Sequence, residues 1–154
     1  MKRIMIVLTA TVLVLALLTA CGAKSVDLKK VMQDINSNYG LANLTVVEDT
    51  DNLNRYYRIP AEDVKQFAAE LTKSASDGYT EVVLIEAVNA DAAGRVKTQL
   101  ESRLRSQLSD AKSYNASQVS MIEACSVKES GNFVWLVIGE KQAEINAELE
   151  KTLK

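Results

Sequence analysis

The sequence predicts an α+β domain, an antiparallel sheet built from two β-hairpins, each followed by a helix, with a further helix at its amino end. From residue 67 the hydrophobic period alternates between two and 3.6, in the order strand, strand, helix, strand, strand, helix. Turn-forming residues, Ser76-Asp77-Gly78 and Ser130-Gly131-Asn132, separate the two strands of each pair. The composition, 47% apolar and 25% charged, supplies enough apolar side chains for a core. Runs of paired strands interrupted by helices give an antiparallel sheet with helices packed on it.

The first helix is expected over 26 to 38: Ser25 is a good N-cap, Asp27 suits the positive helix end, Leu28, Val31, Met32 and Ile35 recur at helical spacing, and Gly40 stops the pattern. Residues 41 to 59 read as irregular. Leu44, Val46 and Val47 suggest a short strand, Glu48-Asp49-Thr50-Asp51-Asn52 a polar loop, and Tyr56-Tyr57-Arg58-Ile59 a second extended piece. Pro60 followed by Glu62 and Asp63 predicts a short helix over 60 to 66.

Phe67, Ala69 and Leu71 alternate with more polar neighbours, and the β-branched run from 79 to 88 completes the first hairpin. Val96, Leu100, Leu104 and Leu108 form the stripe of a long helix over 91 to 113, with Lys97, Glu101, Arg103 and Arg105 on its other faces. Val119, Met121, Glu123, Cys125 and Val127 alternate and predict the first strand of the second hairpin; Phe133 to Ile138 is the other. Ile145, Leu149 and Leu153 mark a final helix over 140 to 153.

Ahead of this domain, Lys2 and Arg3 precede 17 residues without a charge, the pattern of a signal peptide, itself expected to be helical. A run of that length also lies at the short end of a spanning helix, so a retained anchor is the competing reading. The end of the run separates the two. Leu18-Thr19-Ala20-Cys21 resembles the bacterial lipobox, in which small residues before the scissile bond lead to a cysteine whose sulfur takes up lipid. Three segments follow: 1–20 a lipoprotein signal peptide, 21–25 a lipidated tether, and 26–154 a single extracytoplasmic domain. Two acyl chains anchor firmly where one does so only marginally, since each buried CH₂ contributes about 0.8 kcal/mol. The tether reaches only about 15 Å at about 3.5 Å per residue, which holds the domain near the outer face of the cytoplasmic membrane.

Eighteen basic and 20 acidic residues give a net charge of −2, and loss of the leader leaves 16 basic residues against the same 20 acids. Nothing in the balance of a mildly acidic domain suggests the basic face that displaces counterions from nucleic acid, so no nucleic-acid partner is expected. No histidine is present, which removes the commonest general base and the commonest transition-metal ligand. Lipid on Cys21 would leave Cys125 an unpaired thiol; with no histidine to activate it, core packing is its expected role.

Glu48, Asp49 and Asp51 offer oxygens to calcium, but an EF-hand register would put Leu53 at position five and Pro60 where a bidentate glutamate belongs, so no metal site is expected. No cofactor is indicated. Tyr56 and Tyr57, flanked by Arg55 and Arg58, have the composition of a partner surface, with one ring inward and one outward if the segment is extended. Trp135 is a second candidate for such a surface. Phe133, Trp135 and Val137 share one side of a strand and Val134, Leu136 and Ile138 the other, so either helices cover both faces or an aromatic patch stays open.

The helix opening Val26-Asp27-Leu28-Lys29-Lys30-Val31, the segment Tyr56-Tyr57-Arg58-Ile59-Pro60-Ala61-Glu62-Asp63-Val64, the strand Val82-Val83-Leu84-Ile85-Glu86-Ala87 and Gly131-Asn132-Phe133-Val134-Trp135-Leu136-Val137-Ile138 together carry a resemblance. With the lipobox, they make the chain similar to a family of uncharacterised lipoproteins from low-GC Gram-positive bacteria, catalogued as a domain of unknown function. The resemblance spans roughly 26 to 153 and implies an address and an envelope type, with no catalytic residue or cofactor.

Three classes of function follow. First is a non-enzymatic envelope module binding a protein, peptide or wall component through Tyr56, Tyr57 or Trp135. The second is a small-ligand carrier with a small pocket. Last is a carboxylate-based hydrolase using a pair such as Glu86 and Glu123, expected on neighbouring strands.

Overall fold

A computed structural model describes residues 25–154. The leader, the Leu18 to Cys21 motif and most of the tether lie outside the described residues.

The chain forms an α+β domain in three layers, with a five-stranded, wholly antiparallel sheet in the middle. Helix α1 (Leu28–Tyr39) starts at Asp27, whose carboxylate accepts from the backbone N–H groups of Lys29 and Lys30, and ends at Gly40 in the left-handed region, φ 66°. The cap is therefore Asp27, two residues after the expected Ser25. A short strand, β1 (Thr45–Val46), leads to helix α2 (Thr50–Tyr57). This helix corrects the polar loop and extended piece expected there. Asp49 Oδ1 accepts from the N–H of Asn52, so the acids taken for loop chemistry are an N-cap and first turn, and Leu53 and Tyr57, four apart, are the buried stripe.

The helix expected over 60 to 66 is a single 3-10 turn, Ala61–Asp63, after which strand β2 (Val64–Leu71) takes over. Strand β3 (Glu81–Ala87) pairs with β2 along its length, and helix α3 (Ala90–Tyr114) follows, capped by Asn89 accepting from Ala92 N–H. The next expectation fails. Val119 to Glu123 is a helix, α4 (Val119–Glu123), and the first strand of the second hairpin is the short β4 (Lys128–Ser130), which pairs with β5 (Phe133–Ile138). Val119, Ile122 and Cys125 also stand three apart, and that helical spacing prevails because Ile122 is buried against α3's side of the sheet. Helix α5 (Gln142–Thr152) closes the fold.

The strand order is β1-β2-β3-β5-β4, which places β3 and β5 inside. Residues 82 to 85 are all buried, as befits a strand covered on both faces. Because side chains alternate along a strand, Val83, Ile85, Val134 and Leu136 meet α2, α3 and α4, whereas Val82, Leu84, Trp135 and Val137 meet α1 and α5. Both faces are thus covered. The strands at the two edges are short, two and three residues.

Helix α1 is pinned where the chain enters the domain. Gln66 of β2 donates from Nε2 to the carbonyl of Val26 and accepts at Oε1 from the N–H of Leu28. On the same face Trp135 Nε1 donates to Asn146 Oδ1 of α5 at 3.0 Å, inside the core. Trp135 is the sole tryptophan and is 1% exposed. Its emission is therefore expected to be blue-shifted and shielded from iodide. Asn146→Ala, which strips the buried indole N–H of its acceptor, is expected to lower unfolding free energy by about 1–3 kcal/mol in urea titrations followed by that emission.

Candidate functional site

The groove between α2 and α3 brings together the most chemically loaded side chains of the domain. Its floor is a buried ion pair. Glu81, at the start of β3, is 1% exposed, and its carboxylate receives Arg103 of α3 through Nη2 at 2.7 Å and Nε at 3.1 Å, with Gln107 Nε2 adding a third donor at 3.0 Å. Arg103 and Gln107 reach one carboxylate because residues four apart share a helix face. Burial works against the charge of Arg103, but the hydrogen bonds and attraction of Glu81 outweigh it and raise its pKa. The guanidinium also lies 5.5 Å from the centre of the Tyr57 ring.

Tyr57 is 2% exposed and Tyr56 is 40% exposed. One ring is inward and one outward, produced by a helix end and not by an extended segment. Burial lifts the Tyr57 phenol well above its ordinary pKa, with the nearby Glu81 charge adding to the effect. Its oxygen is buried without a hydrogen-bond partner among the described residues. The next residue, Arg58, caps α2 in the left-handed region at φ 57°, a conformation disfavoured for a side chain with a Cβ.

Beyond Arg58 the groove widens into a cavity of about 710 Å³ between the 58–63 segment and the first half of α3. At its edge Asp63, buried, is gripped by Arg95 through both Nε and Nη2. Those hydrogen bonds hold the Asp63 carboxyl below the usual carboxylate range. Arg58 and Gln99 line this cavity and also a smaller one, about 270 Å³, beside Tyr56 and Arg103.

The other candidates do not join this groove. Trp135 lies in the core on the opposite sheet face from Tyr57, so these two aromatic residues do not share a surface. Glu86 is engaged by Lys65 and Gln66, and Glu123 is on helix α4, paired with Lys112 at 3.1 Å, so the expected placement of both acids on neighbouring strands is overturned. Cys125 follows α4 and is not on a strand; it is buried, its Sγ lies 3.2 Å from the Met121 carbonyl, and burial pushes the thiol pKa up. Among the described residues no three metal-ligating side chains cluster. Cys21 is outside the described residues.

Arg103 also departs from the expected face away from the apolar stripe, because it turns toward Glu81 at the sheet. The available signal was Glu81, a lone acid directly ahead of the run Val82-Val83-Leu84-Ile85, where a strand enters the interior and an acid needs a cation.

A family model described as a domain of unknown function, DUF4358, matches residues 37–139. The chain belongs to the DUF4358 family. The match begins within α1 and ends just after β5, so the DUF4358 region holds the entire sheet together with α2, α3 and the groove between them. No curated protein and no solved structure matches the chain.

Two outcomes test the electrostatics of this DUF4358 groove. Arg103→Met leaves Glu81 buried and unpaired and is expected to cost about 3–5 kcal/mol, most of it recovered in the double variant with Glu81→Gln, as read by urea unfolding. Asp63, whose folded pKa is depressed, contributes its full stability above the unfolded carboxyl pKa near ~3.9 and loses it as pH falls through the lower folded value. Acid titration of unfolding free energy is therefore expected to fall more steeply below about pH 4 for the parent chain than for Asp63→Asn.

Proposed function

We propose that the chain is a lipid-anchored lipoprotein at the outer face of the cytoplasmic membrane, acting as a non-enzymatic module that binds an envelope component in the groove between α2 and α3. The observation that carries the binding role is the pair Arg55 and Arg58. Among the described residues neither makes an ion pair, yet both stand with the half-open ring of Tyr56 on one rim of the groove. Arginine and tyrosine beside a concave surface are the residue types that dominate binding energy at interfaces. The anchor is supported by Leu18-Thr19-Ala20-Cys21 at the end of an uncharged run, and a Gram-positive envelope by the resemblance to lipoproteins of that group.

A small-ligand carrier is the second reading, favoured by the 710 Å³ cavity, which lies within the size range of small-molecule sites. The two differ in what fills the groove. A hydrolytic role has less support: Glu62 and Asp91 line the larger cavity, but Asp63 between them and Glu81 on the groove floor are each locked to an arginine.

Cys21→Ala separates the anchor from the rest. Globomycin-sensitive processing and incorporation of labelled acyl chains are expected in the parent chain and absent in the variant, with the variant no longer held in the membrane fraction through lipid. Acyl label on the Cys21→Ala chain would refute the assignment of that residue. For the groove, Tyr56→Ala is expected to weaken capture of the native partner at least tenfold in crosslinking from intact membranes, a loss of roughly 1.4 kcal/mol or more.

A further inference from the structure

We propose that the smaller cavity, between the carboxyl end of α2 and the middle of α3, binds a phosphate group, free or esterified. The proposal rests on the reading of the groove as a binding surface and adds the chemistry of what it holds. Arg55 and Arg58 come from α2 and its cap, and Arg103, Ser102 and Ser106 come from α3. No acidic side chain lines the cavity, although acids outnumber bases in the chain as a whole.

The charge count favours an anion. Glu81 neutralises Arg103, and the next acid acting on Arg103 is Asp110, whereas Arg55 and Arg58 have no carboxylate partner among the described residues. A helix dipole accounts for one cation in a last turn, and Arg55 fills that role for α2. It does not account for a second arginine in the left-handed cap position, where glycine or asparagine is favoured.

Geometry narrows the ligand to phosphate. Gln99, Ser102, Arg103 and Ser106 are spaced three and four apart, which presents them together on one side of α3, while Arg55 and Arg58 face them from α2. Donors arriving from two walls suit a tetrahedral oxyanion better than a planar carboxylate. Guanidinium groups bind phosphate through paired N–H donors, and serine hydroxyls supply further bonds. At about 270 Å³ the cavity has room for a phosphate with a small substituent.

The source of the phosphate is either a free metabolite or ion, or the headgroup of an anionic lipid, and titration distinguishes them. The full-length chain in neutral detergent is titrated calorimetrically, at constant ionic strength, with inorganic phosphate, with short-chain phosphatidylglycerol and with short-chain phosphatidylcholine. Saturable heat is expected from at least one of the first two: tighter binding of inorganic phosphate assigns a free phosphate, and tighter binding of phosphatidylglycerol over phosphatidylcholine assigns a lipid headgroup. Arg55→Gln and Arg58→Gly should each weaken that binding at least tenfold, the glycine also suiting the left-handed cap so that folding is retained, as read by Trp135 emission. Arg105→Gln, at an exposed position of α3 that does not line the cavity, should leave it unchanged. Absence of saturation with every titrant, or equal affinity in parent and Arg58→Gly chains, overturns the site. Cys21→Ala keeps the pocket, so phosphate binding by that variant tests the pocket separately from the anchor.

Discussion

A carboxylate taken out of water at the head of a central strand obliges the surrounding structure to answer it. Glu81 starts β3, next to residues wholly enclosed by helices, and its charge is met by the forked guanidinium of Arg103 and by Gln107. That requirement sets the rotation of α3 about its own axis, because both donors must face the sheet from adjacent turns. It also fixes α2, since Arg103 lies over the ring of Tyr57, the last residue of that helix. An apolar pair could fill the same space at no loss in stability. What the ion pair adds is a directional bond at a junction of strand and helices, and with it a defined groove above.

The positive rim of that groove stands on this arrangement. Arg103 is spent on Glu81, so the positive charge still free there comes from α2, at Arg55 and Arg58. Arg58 is held in a conformation that costs an arginine roughly 1 kcal/mol relative to glycine, and its N–H still closes the helix on the Asn54 carbonyl. A short helix is thereby ended by a residue that carries charge into the groove, where an ordinary glycine cap would carry none.

The elements with long, single-period patterns were legible in the sequence. Helix α3 and the runs that became β3 and β5 have enough residues for one period to dominate, and Gly40 and Gly131 mark turns that need positive φ. Short elements were not. In α2, eight residues offer only Leu53 and Tyr57 as a stripe, and the capping acids resemble a loop; at 119 to 125 two periods coexist and burial of Ile122 decides between them. The groove was legible in part, because Arg55, Tyr56, Tyr57 and Arg58 are contiguous. Its floor depends on Glu81, Arg103 and Gln107 meeting across more than twenty residues of chain, which no local pattern encodes. An aromatic residue on an all-apolar strand, such as Trp135, gives the same pattern whether or not a helix covers it; α5 supplies the cover, and its Asn146 the acceptor.

The shortness of β1 and β4 has a consequence for how copies of this domain behave when concentrated. A sheet grows between molecules by pairing along an exposed edge, and a long flat edge is an invitation to do so. Here the outermost strands offer two and three residues, too few backbone groups to template a neighbour, and the β4 edge carries Lys128 and Glu129. Strand β3, between β2 and β5, is paired along both edges and covered by helices on both faces. Pairing between copies along β1 or β4 would therefore gain few backbone hydrogen bonds.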